Sequence, residues 1–109
     1  MNKLIADYRK SGNLLFFSGV TGAPGDAKTQ IENVLEKIMK MLQEAGSSME
    51  NVLSVLIILA NLEDRPTALN PLWQKYFPKN PPARTTVQAG LGSGILVEMM
   101  VVAHLRSEP

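Results

Sequence analysis

Two ionisable residues stand apart in the apolar C-terminal third of this 109-residue chain. Arg84 lies in Pro81-Pro82-Ala83-Arg84-Thr85-Thr86-Val87, and Glu98 interrupts Ile95-Leu96-Val97-Glu98-Met99-Met100-Val101-Val102-Ala103. A carboxylate withdrawn from water loses several kcal/mol of hydration unless a partner or a function compensates it. A guanidinium presents a planar fork that meets an anion with two parallel hydrogen bonds. Together the two types suggest a small pocket that fixes an anion with Arg84 and transfers protons or holds water with Glu98.

These residues need strands beneath them. Arg84 to Ala89 and Ile95 to Leu105 read as strands joined by Gly90-Leu91-Gly92-Ser93-Gly94, which is a hairpin pattern. With all five residues in the loop, Thr86 opposes Glu98 and Arg84 opposes Met100, so Arg84, Thr86 and Glu98 share one face. A two-residue turn reverses that parity and removes Glu98 from the face.

The rest of the chain supplies the support. Leu14 to Ser18 reads as a strand between Gly12-Asn13 and Gly19, with another expected around Leu4 to Tyr8. After a Gly-rich loop, Asp26 is an expected N-cap. Ile31, Val34, Leu35, Ile38, Met41, Leu42 and Ala45 then make one helical stripe that Gly46 ends. Val52 to Leu59 is apolar on both faces, as expected of a central strand or one at an interface. Thr67 to Phe77 carries a second stripe, with Asn70 as expected N-cap and Pro71 as first helical residue. The elements predict a single α+β domain over 1–109, a mixed β-sheet with two helices packed on one face.

Composition narrows the chemistry. The apolar fraction is 45%, the charged fraction 19% and the net charge +1, so a clustered basic face for nucleic acid is not expected. Zero cysteines exclude disulfides and thiolate chemistry, and one histidine, His104, excludes His-rich metal sites. The start is interrupted by charge at Lys3 and Asp7, and the longest apolar run is broken by Glu98, so neither a signal peptide nor a membrane span is expected. A cytoplasmic protein is the expectation.

At this point the chain resembles the reactive intermediate deaminase family, also called YjgF-like or L-PSP endoribonucleases. The resemblance runs from about Gly12 to Ala103. It is carried by Gly12-Asn13-Leu14-Leu15-Phe16-Phe17-Ser18-Gly19, Gln30-Ile31-Glu32-Asn33-Val34-Leu35-Glu36, Glu44 to Val52, Tyr76-Phe77-Pro78, Pro82-Ala83-Arg84-Thr85-Thr86-Val87 and Val97-Glu98-Met99. It implies a chorismate-mutase-like sandwich whose sheets form a central barrel in a homotrimer, with sites in clefts between subunits. Matched by position, Arg84 is implied to bind the substrate carboxylate and Glu98 to orient the attacking water. Ser18, Gly19, Asn70, Thr86 and Tyr8 are implied to contact substrate. Thr86 stands where many members carry cysteine. Asn70, followed by Pro71, is displaced by one residue, and the loop from Gly19 to Asp26 is shorter than usual.

The implied reaction is hydrolysis of reactive 2-enamino or 2-imino acids to 2-oxo acids and ammonia, with no metal or organic cofactor. Two other readings stand beside it. One is a non-catalytic trimer that senses small carboxylates; the other is an endoribonuclease or translation inhibitor. The Arg84 and Glu98 pair favours the first, since an anion sensor needs only the arginine. Aliphatic surface on Val52 to Leu59 and Ile95 to Ala103 exceeds what two helices can cover, so a partner subunit is expected. His104 is expected at a strand end, and Trp73 as a packed helix residue.

Overall fold

The computed structural model describes residues 3–106. The chain opens with a hairpin, β1 (Tyr8–Ser11) and β2 (Leu14–Phe17), followed by the two-residue strand β3 (Val20–Thr21). Helix α1 (Ala27–Glu44) leads through a 3-10 turn at Met49–Asn51 into β4 (Val52–Leu59). A π-helical turn (Arg65–Leu69) runs straight into α2 (Asn70–Tyr76), and β5 (Ala83–Gln88) and β6 (Val97–His104) complete the fold. The strands form one mixed sheet in the order β1-β2-β6-β4-β5, with β3 also paired to β6. Both helices cover one face, giving the expected α+β two-layer architecture; the longest dimension is 41 Å and the thinnest only 19 Å.

Local chemistry accounts for the boundaries. The β1–β2 turn is Gly12-Asn13, and Gly12 has φ +60, the conformation the first position of a II′ turn requires. The first strand therefore begins at Tyr8, not near Leu4: Tyr8–Ser11 is the stretch that the tight turn folds back onto Leu14–Phe17. The Asp26 side chain caps α1 by accepting from the Thr29 N–H at 2.8 Å, and this hydrogen bond lowers the Asp26 pKa. The stripe Ile31, Val34, Leu35, Ile38 and Leu42 is fully buried against the sheet. Gly46, at φ +88, then turns the chain out of the helix.

The strands after α2 depart from the expected hairpin. β5 pairs with β4 in parallel, Val55 opposite Arg84 and Ile57 opposite Thr86. β6 pairs with the other side of β4, antiparallel, Ile58 opposite Glu98 and Val55 opposite Val101. The loop after β5 thus passes over the end of β4 instead of joining neighbours. Apolar on both faces, β4 belongs inside the sheet, and its place between β5 and β6 puts it there. Helix α2 supplies the crossover that parallel pairing needs.

This order fixes the faces. Val55, Ile57, Leu59, Val97, Met99 and Val101 point toward the helices and are 0–3% exposed. Phe16, Leu56, Ile58, Met100 and Val102 occupy the other face, which nothing in the protomer covers; Phe16 is 45% exposed and Leu56 37%. That face is the aliphatic surplus expected from the sequence.

Candidate active site

Arg84 sits on β5, the edge strand, and shares the helix-side face with its neighbours Val55 and Ile57. Its Nη2 donates to Asn70 Oδ1 at 2.9 Å, and its guanidinium lies 5.2 Å from the centre of the Trp73 ring. Trp73 is therefore more than the packed helix residue expected: it is 8% exposed and forms the floor under the cation. Partial burial, then the positive charge of Arg65, lowers the Arg84 pKa. Arg84, Asn70, Trp73, Gln74, Phe77 and Pro81 surround a hollow of about 380 Å³. Two residues along β5, the Thr86 hydroxyl is buried without a hydrogen-bond partner.

The π turn explains how Asn70 reaches Arg84 although its place in the sequence is one residue off. Pro71 has no N–H, and its ring would collide with the carbonyl of residue 67 in a regular α-turn. The Asn70 N–H instead donates to the carbonyl of Arg65, five residues back. A turn closed that way holds one extra residue. It absorbs the displacement, so Asn70 still faces the guanidinium. Asn70 is not the expected N-cap, because it lies inside a continuous helical path with φ −61 and ψ −42.

Glu98 lies elsewhere. It is on β6 opposite Ile58, so its side chain projects from the uncovered face of the sheet. Arg84 projects from the helix-side face. Within one protomer the two do not converge, which corrects the shared face expected from a hairpin. What Glu98 does meet is Gly19: a Cβ on that glycine would fall 2.7 Å from Glu98 Cδ and closer still to Oε2. The carboxylate therefore lies flat over bare backbone. Ser18 precedes that glycine, but its hydroxyl donates to the Ala6 carbonyl at 2.7 Å and its N–H to the Asp7 carbonyl at 3.1 Å. Tyr8 stacks on Phe17, with ring centres 5.1 Å apart, at the far edge of the sheet from Arg84.

The expected residues thus fall into groups. Arg84, Asn70 and Thr86 cluster at the β5 edge, Glu98 and Gly19 at the uncovered face, and Tyr8 on β1. Gln30 was not anticipated. It is 1% exposed; its amide donates to the carbonyls of Gly25 and Gly94 at 2.8 and 2.9 Å and accepts from the Leu96 N–H at 2.9 Å. It ties the loop after Gly19 to the start of β6, two residues before Glu98. A glutamine on the buried side of an otherwise apolar stripe was the available signal. Asn33 and Lys37 donate to the carbonyls of Gly22 and Thr21 at 3.0 and 2.7 Å, so the shortened loop is pinned along α1. Among the described residues there is no cluster of His, Cys, Asp and Glu able to hold a metal ion.

Comparison with known proteins agrees with this fold. The 3-aminoacrylate deaminase RutC of Acinetobacter baylyi is 36% identical over 105 residues, covering 88% of this chain and 82% of its own. A RutC family protein of Pyrococcus abyssi is 35% identical over 104 residues, covering 87% and 81%. The crystal structure of NMB1025 from Neisseria meningitidis, a YjgF family member, superposes with a TM-score of 0.91 at 28% identity, covering 99% of this chain and 92% of that one. The family model described as Endoribonuclease L-PSP matches residues 5–105, and the chain belongs to that YjgF-like family.

Proposed function

We propose that this protein hydrolyses reactive 2-enamino or 2-imino acids to 2-oxo acids and ammonia, in sites completed between copies of the chain. The observation that carries the reading is the state of Arg84. Its guanidinium is oriented by Asn70 and Trp73 and opens on a hollow, yet is spent on no carboxylate: the ion pairs among the described residues are Lys3–Asp7 and Lys75–Glu32. A cation prepared and left unpaired is suited to an anionic ligand. The similarity to a 3-aminoacrylate deaminase supports carbon–nitrogen hydrolysis as the chemistry.

Arg84 and Glu98 occupy opposite faces of one sheet, so one protomer alone does not make the site. A second copy does so if its uncovered face, with Glu98 over Gly19, meets the first copy's β5 edge. Such an edge-to-face contact joins two different surfaces and closes into a ring when repeated. The exposed apolar residues Phe16, Leu56 and Val87 favour this arrangement, and a homotrimer with its sheets facing inward satisfies it.

In the completed site Arg84 grips the substrate carboxylate and presents C2 of the imine. Glu98 accepts a hydrogen bond from water and aims its oxygen at that carbon. As the C–O bond forms, the C=N electron pair moves to nitrogen, and the proton that water gives up passes through Glu98 to that nitrogen. Glu98 then carries the remaining hydroxyl proton to the amino nitrogen as the C–N bond breaks and ammonia leaves. Imine and water enter; oxo acid and ammonia depart. The imine is already electrophilic, so orientation supplies much of the acceleration and no cofactor is needed. The net charge of +1 makes a polyanionic RNA a poorer fit than a small acid.

The test supplies 2-iminobutyrate from a threonine dehydratase and follows 2-oxobutyrate release. The protein accelerates release over buffer, and Arg84→Ala abolishes the effect. Binding of 2-oxobutyrate without any acceleration would establish a carboxylate sensor instead.

A further inference from the structure

The chain that runs beside β6 carries one residue too many. Phe16 of β2 stands opposite Val102, and β3 resumes with Val20 opposite Met99. Phe17, Ser18 and Gly19 therefore face only Val101 and Met100, which is a β-bulge. Side chains alternate along a strand, so an extra residue reverses the faces beyond it. In an unbroken strand with Phe16 on the uncovered face, Val20 would join it and Thr21 would turn toward the helices. The bulge does the opposite. Val20 is buried on the helix side, and Thr21 stands on the uncovered face directly opposite Glu98.

Residues paired in this way hold their Cβ atoms about 5 Å apart. On its other side Glu98 faces Ile58, which offers no side-chain hydrogen bond. The carboxyl leans over Gly19, two residues before Thr21. Two strand residues span about 6.6 Å, and two hydrogen bonds through one water span about 5.6 Å. That spacing suits a single water held between the Thr21 hydroxyl and the Glu98 carboxylate. Although β3 is only two residues long, α1 grips it firmly. Lys37 Nζ donates to the Thr21 carbonyl at 2.7 Å and Asn33 to the Gly22 carbonyl at 3.0 Å. Gly22 packs so closely that a Cβ there would fall 2.5 Å from the Gln30 carbonyl oxygen. The helix thus fixes Thr21 by its backbone and leaves the hydroxyl to the sheet face.

From this placement we infer that Thr21 is a further catalytic residue. Its hydroxyl donates to the oxygen of the hydrolytic water, while Glu98 accepts one of that water's protons. A water held at two points is oriented, and its remaining lone pair is free to attack C2 of the imine. The bulge serves both contacts: it puts bare backbone beneath the carboxylate and a hydroxyl beside it.

The inference rests on the proposed deaminase reading, so two readouts keep the two apart. One is 2-iminobutyrate hydrolysis by the wild type, Thr21→Ser and Thr21→Val. The other is a high-resolution crystal structure of the wild type and of Thr21→Val. Valine keeps the β-branched shape that suits a strand, so Thr21→Val retains the fold, as thermal unfolding checks. Its kcat falls about tenfold or more with KM within about twofold, whereas Thr21→Ser keeps kcat within about threefold. The wild-type crystal holds a water within hydrogen-bond reach of both oxygens, and Thr21→Val loses it. Wild-type kcat in Thr21→Val, or an equal fall in Thr21→Ser, overturns the inference, as does a wild-type crystal with no water bridging the pair. Those results alongside wild-type turnover sink only the role of Thr21. A bridging water that Thr21→Val removes, with no turnover by any of the three proteins, sinks only the deaminase reading.

Discussion

Gly19→Ala isolates the position of the proposed water-holding carboxylate from the stability of the fold. Gly19 is not among the residues with positive φ, so alanine is compatible with its backbone. The added methyl would fall 2.7 Å from Glu98 Cδ, where ordinary contact begins at 3.4 Å, and closer to Oε2. Glu98 must therefore swing its carboxyl away by at least about 0.7 Å at Cδ and further at the oxygen. The obstructing atoms belong to the end of a flexible side chain, so rotation of Glu98 resolves the clash without moving β6. A misplacement of this order costs up to about a hundredfold in rate when geometry supplies the catalysis. The assay is kcat for 2-iminobutyrate hydrolysis alongside thermal unfolding. The expected result is a large fall in kcat with an unchanged unfolding midpoint, and Gly19→Ala causes no further fall when it is added to Glu98→Gln, because it acts only through that carboxylate. Retention of wild-type kcat in Gly19→Ala would refute the role given to Glu98.

Two predictions concern the scaffold. The Tyr76 hydroxyl donates to Glu36 and lies 3.5 Å from Glu32, and burial followed by the Glu36 contact raises its pKa above the ordinary 10.0. A raised folded-state pKa gives stability that is present below pH 10 and lost as pH climbs through the folded value; this alkaline loss, followed by denaturant unfolding against pH, disappears in Tyr76→Phe. Gln30→Leu strands the carbonyls of Gly25 and Gly94 and the Leu96 N–H, and urea unfolding should register a loss of about 3 kcal/mol.

Much of this arrangement was legible in residue order. The stripe from Ile31 to Ala45, capped by Asp26 and ended by Gly46, specified α1 because helical period and cap chemistry are local. Val52 to Leu59 emerged with those same boundaries as β4. The pairing of β5 and β6 did not, because the eight-residue link 89–96, Gly-rich at 90–94, fits both a hairpin and a passage over a third strand. The deciding clue was non-local: β4 is apolar on both faces, and the centre of the sheet is where such a strand is most stable. The error mattered, since it put Arg84 and Glu98 on one face of a single protomer's sheet. Sequence spacing also could not restore Asn70 to Arg84. That depends on a π turn, which accommodates the missing N–H of Pro71 by a change in hydrogen-bond span rather than in composition.

In the proposed mechanism each working site draws Arg84 from one protomer and Glu98 from another. Its most direct measurement mixes two inactive proteins, Arg84→Ala and Glu98→Gln, by joint unfolding and refolding in equal amounts. Random assembly places an intact arginine against an intact glutamate at about a quarter of the contacts, so about a quarter of wild-type deaminase activity should return. Mixtures as inactive as their separate components, in oligomers shown to contain both chains, would contradict a shared site.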